Sequence, residues 1–422
     1  MERFIVPADA RSWIETGPES HFPIQNLPFG AGFRIGNDED EIETVEAVAI
    51  GEYALDLAVL AEEGLIDFEP GPVPFAWVTF DGPEGLVALR RQVYELLRSD
   101  NPALRDRDAL RKECLIPIDD LHMTLPMPPR AFVDFYSGIH HASNVGKMFR
   151  PDQPPLLPNY RHLPVGYNGR ASSVVPSGEP IVRPSGQQKI GDDVVFGPTK
   201  ELDFELELGY FTGSENLMGE PVPIGEIEEF ILGCVLVNDW SARDVQRWEY
   251  QPLGPFLAKS FATTISPWLV TMDALEPFRC QGMPQEPAPL PHLRNPGPSH
   301  YDIHLEVSIQ TPKMSRPQVI CRSNSRNLYW SFVQQLAHQA SNGTPIEVGD
   351  LYATGTISGD APDSFGSLLE LTWRGQRPIE LESGETRTFL EDGDIVTLSG
   401  WCQGDGFRVG FGECSGEVVA YV

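Results

Sequence analysis

Basic residues are scarce in this chain. Lys and Arg number 31 against 61 Asp and Glu, leaving a formal net charge of −30 at pH 7. A field of that sign repels phosphate backbones and anionic lipid, so neither nucleic acid nor a membrane is expected as a partner. It also repels acidic small molecules unless cationic groups stand in their pocket, which gives weight to any Lys or Arg inside a motif. Long apolar runs are missing too. The longest, Phe230 to Val237, is far short of a membrane span, and the opening Met-Glu-Arg-Phe-Ile-Val-Pro has no apolar stretch of the signal-peptide kind, so a cytoplasmic location is expected. The six cysteines (Cys114, Cys234, Cys280, Cys321, Cys402, Cys414) form no C-x-x-C pair and read as mostly buried free thiols. Also absent are His-Glu-x-x-His, the Gly-x-Ser-x-Gly elbow and the phosphate-binding Gly-x-x-x-x-Gly-Lys, which disfavours zinc proteases, serine hydrolases and P-loop enzymes.

What remains is a globular composition, 41% hydrophobic over 422 residues, enough for two domains. Residues 1–125 combine short extended runs, such as Phe75-Ala-Trp-Val-Thr-Phe80, with one helical pattern at Leu86, Leu89, Val93, Leu96 and Leu97. They read as a small β-rich domain carrying a helix. Pro126, Pro128 and Pro129 mark a linker, and residues 126–422 alternate Pro- and Gly-rich loops with strand-like runs at Phe230–Val237 and Asp394–Leu398. One further helix is expected from Leu328, Phe332, Val333, Leu336 and Ala340, with Ser323 or Ser325 as N-cap and Gly343 as stop. The fold class is mainly β, with helices added (α+β).

Chemistry concentrates in three stretches. In Leu202-Asp-Phe-Glu205-Leu-Glu207-Leu, acidic and apolar residues alternate, so a strand would project Asp203, Glu205 and Glu207 from one face, either toward a cation or toward solvent. Asp239 follows an apolar run, where ligands collect at strand ends, although Asn-Asp is also a common turn. Ser241 and Asp244 look like a capping box, starting a helix that sets Arg243 and Gln246 one turn apart. Asp134 precedes the adjacent His140 and His141, of which an extended backbone would turn only one inward. Together Asp134, Glu205, Glu207 and Asp239 offer hard oxygen donors suited to Mg²⁺ or Ca²⁺, beside a histidine able to activate water near neutral pH. Lys259, flanked by apolar residues, is expected to be partly buried against an anion.

These segments occur in one collinear set: Asp134-Phe-Tyr-Ser, His141-Ala-Ser-Asn-Val-Gly, Leu163-Pro-Val-Gly-Tyr167-Asn-Gly-Arg-Ala-Ser-Ser, Asn238-Asp-Trp-Ser-Ala-Arg-Asp, Pro252-Leu-Gly-Pro-Phe-Leu, Gly355-Thr356-Ile-Ser-Gly and Gln403-Gly-Asp-Gly. Over nearly the whole chain the set resembles the fumarylacetoacetase family. The resemblance implies an N-terminal SH3-like barrel, a β-roll catalytic domain and a homodimer. It implies hydrolysis of a carbon–carbon bond in a small diketo acid, 4-fumarylacetoacetate, with a divalent cation as cofactor. It assigns Asp134, Glu205, Glu207 and Asp239 as metal ligands, with Lys259 and Thr263 close by. It makes His141 the base, Glu370 its orienting carboxylate, and Lys259, Arg243 and Gln246 the groups that stabilise the oxyanion. Substrate contacts map onto Tyr136, Arg150, Tyr167, Arg243, Gln246, Tyr250 and Thr356. Acylpyruvate hydrolases and β-keto acid decarboxylases of the same superfamily, and a noncatalytic relative, are the competing readings.

Overall fold

The computed structural model describes residues 3–35, 42–295 and 297–421. Its main feature is a thirteen-stranded sheet that runs through both halves of the chain. The N-terminal strands Phe29–Ile35, Ile42–Ile50, Tyr53–Asp56 and Leu115–Pro117 pair antiparallel in sequence order. Phe29–Ile35 then pairs with Trp268–Thr271, and so joins the N-terminal strands to the central ones. A second, five-stranded sheet contains His304–Gln310, Gln318–Asn324, Ile395–Gln403 and Arg408–Val419. The mainly β reading, with helices added, is borne out.

The strand Ile231–Asp239 is buried at every residue. Its continuous apolar run, in place of alternation, reflects cover on both faces. Helix Val78–Leu97 buries Leu86, Leu89, Val93, Leu96 and Leu97, the stripe its spacing predicts. That stripe belongs to one apolar core with Val235, Val237, Leu269 and Leu351 of the central strands, so the two parts of the chain are packed on a shared interior. The cysteines are all free, five buried and Cys280 half-buried.

Three local expectations are corrected. Phe75–Phe80 is not extended: Phe75 has φ +62°, and the Glu46 carboxylate accepts from the Phe75 N–H (3.0 Å) and the Trp77 indole (2.9 Å), which bends the chain into a turn that leads into the helix. The later helix spans Phe332–Ala340 and is capped by Ser331 and Gln334 in a reciprocal box, leaving Leu328, Ser323 and Ser325 outside it. Ser241 and Asp244 form no capping box. Ser241 Oγ donates to the Asp239 carbonyl (3.0 Å), while the Asp244 carboxylate accepts from Thr199 Oγ1 and the Lys200 N–H (2.9 Å), and the helix Arg243–Glu249 begins without a side-chain cap.

Candidate active site

Sheet register gathers the acidic residues. Phe132–Phe135 lies parallel to Leu351–Ala353 with Asp134 opposite Ala353, Leu206–Thr212 lies antiparallel to that strand and to Ile231–Asp239, and Asp239 stands opposite Thr263. One carboxylate oxygen from each of Asp134, Glu205, Glu207 and Asp239 falls within 4.8 Å of the others, and all four residues are buried. The solvent reading of the Leu202–Leu208 alternation is thereby excluded. The strand itself breaks at Phe204 and Glu205, between Leu202–Asp203 and Leu206–Thr212.

Two cations sit against this cluster. Lys259 Nζ donates to Asp239 (2.6 Å) and to Glu205, and Arg243 Nη1 lies 2.7 Å from Glu205. Thr263 Oγ1 (3.1 Å) and the Tyr167 hydroxyl (2.9 Å) also donate to Asp239, and the Gly355 N–H donates to Glu207 (2.9 Å). Gly355 has φ +74°, and a Cβ there would collide with the Phe135 carbonyl, so only glycine brings this N–H to the carboxylate.

The electrostatics divide the four acids. Burial, the largest influence on Glu205, would raise its pKa, but Lys259, Arg243 and His141 together hold it below the usual range. Asp134 is pushed well up by burial and by Asp239, and Glu207 by burial and by Asp134. Asp134 Oδ1 and Glu207 Oε1 are buried without any hydrogen-bond partner. Orphaned carboxylate oxygens in a buried cluster of four fit a hard divalent cation, which prefers oxygen donors and would satisfy both.

Beside the cluster, helix Ile139–Phe149 carries His141. Because this backbone is helical, not extended, His140 and His141 are separated by about 100° around the axis; His141 is buried and faces the site, while His140 is half-buried and outside the cavity lining. Gly138 starts the helix where a Cβ would strike the Thr356 carbonyl. His141 Nδ1 is 2.5 Å from Glu370 Oε2, and Nε2 is 3.9 Å from Glu205. Glu370 also accepts from Asn144 Nδ2 (2.9 Å), Ser358 Oγ (2.8 Å) and Ser367 Oγ (3.0 Å). Burial opposes its ionisation, but His141, Asn144 and Ser358 hold the carboxyl below its usual range. An ionised Glu370 accepts only, so the network assigns the proton to Nδ1 and leaves Nε2 as acceptor.

A cavity of about 530 Å³ opens onto both groups. Asp134, Tyr136, His141, Arg150, Tyr167, Glu205, Arg243, Gln246, Tyr250, Lys259 and Thr356 line it, whereas Glu207, Asp239, Thr263 and Glu370 stand behind the wall. Glu207, Asp239 and Glu370 are each bonded to a residue of the lining, and Thr263 is bonded to Asp239, whereas His140, Ser241 and Asp244 are not brought to the cavity. Asn144, Ser358 and Ser367 were not singled out. Asn144 lies three residues after His141 on one helix face, and Ser367-Leu-Leu-Glu370 has capping-box spacing, so both signals were present.

The fold and this site define a buried carboxylate centre with an adjoining His–Glu pair. Two family models match the chain: "Fumarylacetoacetase N-terminal" over residues 25–126 and "Fumarylacetoacetate (FAA) hydrolase C-terminal" over 130–419. Fumarylacetoacetase of Oryza sativa subsp. japonica is 49% identical over 421 residues, covering 97% of each chain. That of Homo sapiens is 47% identical over 421 residues, covering 97% of this chain and 98% of the relative. Among solved structures, maleylpyruvate hydrolase from Sphingobium sp. SYK-6 shares the fold at a TM-score of 0.50 and 16% identity, with 93% of this chain and 100% of that one covered. The chain belongs to the fumarylacetoacetase family.

Proposed function

We propose that this protein hydrolyses 4-fumarylacetoacetate to fumarate and acetoacetate, the reaction for which its curated relatives are named. The observation that carries the reading is the placement of His141, bonded to Glu370 on one side and 3.9 Å from the carboxylate centre on the other. Asp134, Glu205, Glu207 and Asp239 would hold the divalent cation, Mg²⁺ or Ca²⁺, with Lys259 and Thr263 fixing the Asp239 carboxylate. When bound, such a cation supplies Lewis-acid stabilisation to the oxygens of a dicarbonyl substrate.

His141 Nε2 takes a proton from water, and Glu370 stabilises the imidazolium. The water oxygen bonds to the C4 carbonyl carbon of the diketo acid. The C4–C5 bond then breaks, its electron pair passing to C5 as the enolate of acetoacetate, and the proton held by His141 returns to that carbon. Arg243 Nη2, buried without a partner, and Lys259 are donors for the developing oxyanion, with Gln246 Oε1 accepting from Arg243 Nη1 (3.1 Å) to hold the guanidinium. Arg150 with Tyr136 and Tyr250 receives terminal carboxylates, offsetting the acidic background, and Tyr167 and Thr356 complete the wall.

The homodimer belongs to the same reading. It is supported by the hairpin Ser185–Ile190/Asp193–Pro198, which exposes Ile190, Val194, Val195 and Phe196 together. Residues 1–125 and 126–422 are the two units. A cytoplasmic location is supported by the free thiols, and no helix among the described residues is long and apolar enough to cross a membrane. The test is product analysis: stoichiometric fumarate and acetoacetate from 4-fumarylacetoacetate support the reading, and turnover of acylpyruvates alone overturns it.

A further inference from the structure

The alternating stretch Asp203-Phe-Glu205-Leu-Glu207 offers three acids, and only two of them join the four-carboxylate centre. Asp203 is fully buried, and its carboxylate accepts from three donors on two different elements. Arg243 Nε donates to Oδ2 at 2.8 Å, the Leu368 N–H to Oδ1 at 2.7 Å and the Leu369 N–H to Oδ2 at 3.0 Å. Those two amides open the single-turn helix Leu368–Leu371, which carries Glu370. The Arg243 guanidinium, held by Asp203 through Nε, reaches Glu205 and Gln246 through Nη1 and keeps Nη2 unpartnered.

We infer that Asp203 is a positioning residue that sets two parts of the machinery in one register: the guanidinium of Arg243 and the helical turn that presents Glu370 to His141. Glu205 and Gln246 also hold Arg243, and Asn144 and Ser358 also hold Glu370, but among the described residues Asp203 alone bonds both the guanidinium and the backbone of the Glu370 turn. A four-residue helix is too short to hold its own geometry, and its first amides are bonded to this carboxylate. Ser367 caps the same turn, but its hydroxyl is shared between the Glu370 N–H (3.4 Å) and the Glu370 carboxylate (3.0 Å), so it moves with the turn. Asp203 itself sits in the short strand Leu202–Asp203, paired with Ser241–Ala242 immediately before Arg243. One carboxylate therefore ties the strand that leads into Glu205, the helix that starts at Arg243, and the turn of Glu370. The alternation of the three acids has a physical use at each position: 205 and 207 face the cation centre, and 203 faces the groups that act around it.

This inference rests on the proposed hydrolysis, and its test separates the two. Full-length, metal-saturated protein is compared as wild type, D203N, E370Q and D203N/E370Q, reading kcat and KM on 4-fumarylacetoacetate and divalent-metal binding by titration calorimetry. Inactive wild type would fail the hydrolase reading, whatever the variants do. With active wild type, D203N is expected to lower kcat by about 10- to 100-fold through displacement of Glu370 and Arg243, with metal binding retained. In the E370Q background the same substitution is expected to cost distinctly less, because the residue it positions is already disabled. An unchanged kcat in D203N, or an equal factor in both backgrounds, overturns the inference. If D203N fails to fold because buried Arg243 loses one of its two carboxylate partners, D203N/R243Q is compared with R243Q. A further loss of kcat in the double variant supports the link to the Glu370 turn, and equal kcat overturns it.

Discussion

The imidazole of His141 and the carboxylate of Glu370 are 2.5 Å apart although 229 residues separate them in the chain. The pairing fixes which ring nitrogen faces the cavity. With Nδ1 committed to Glu370, Nε2 is the atom available to water, and it is the one directed at Glu205.

Replacing His141 by Ala removes the base and leaves the four carboxylates untouched. The expected result is a kcat lower by about 10³- to 10⁴-fold with divalent-metal binding retained, and E370Q should fall by about 10²-fold or more through loss of ring orientation. Steady-state kinetics with parallel metal titration checks both. Full activity in His141→Ala would remove the histidine from the role given to it.

Lys259 neutralises part of a cluster of four acids. In Lys259→Met, the metal-free protein should lose stability by about 3 kcal/mol, because buried Asp239 loses the cation bonded to it and Glu205 keeps only Arg243. Added Mg²⁺ or Ca²⁺ should recover much of the melting temperature without recovering kcat. Thermal unfolding with and without metal reads the first, and an unchanged metal-free melting temperature would contradict it.

Gly355 combines positive φ with a contact that leaves no room for a side chain. Gly355→Ala is expected to cost about 1–3 kcal/mol and to weaken metal binding, since the N–H that holds Glu207 must move. Chemical denaturation and calorimetry on one preparation measure both effects. Wild-type values for each would show that the backbone relaxes there freely.

Away from the site, His300 is buried with Nε2 at the Leu328 carbonyl (3.1 Å) and Nδ1 unpartnered, and burial lowers its pKa from 6.5 to about 4. The folded state therefore binds fewer protons than the unfolded one between those values. Its effect on stability is constant above pH 6.5 and amounts to a loss of about 3 kcal/mol as pH falls from 6.5 to 4. His300→Gln should flatten the pH dependence of unfolding in that window. A variant whose curve keeps the wild-type slope would contradict this.

Periodicity made part of the site legible, while Glu370, Thr263, Arg150 and Thr356 came only with the resemblance to the family. Glu205 and Glu207 alternate with apolar neighbours, and Arg243 and Gln246 lie one turn apart. Periodicity did not tell whether the acidic face of residues 203–207 meets solvent or the interior, since that depends on segments more than a hundred residues away, such as Gly355 and Leu368. The choice between His140 and His141 likewise awaited the helix that begins at Gly138, and the strand expected at Phe75–Phe80 was overridden by a carboxylate, Glu46, from another strand. Ser241 and Asp244 had capping-box spacing, but their hydrogen bonds were taken by Asp239, Thr199 and Lys200.

The most direct measurement of the central claim is the loss of ultraviolet absorbance of 4-fumarylacetoacetate with purified protein, after EDTA treatment and after adding back Mg²⁺ or Ca²⁺. The account predicts rapid loss with metal, little after chelation, and recovery on adding the cation. Undiminished absorbance with either metal present would contradict the hydrolase reading, and full activity after chelation would contradict the role given to Asp134, Glu205, Glu207 and Asp239.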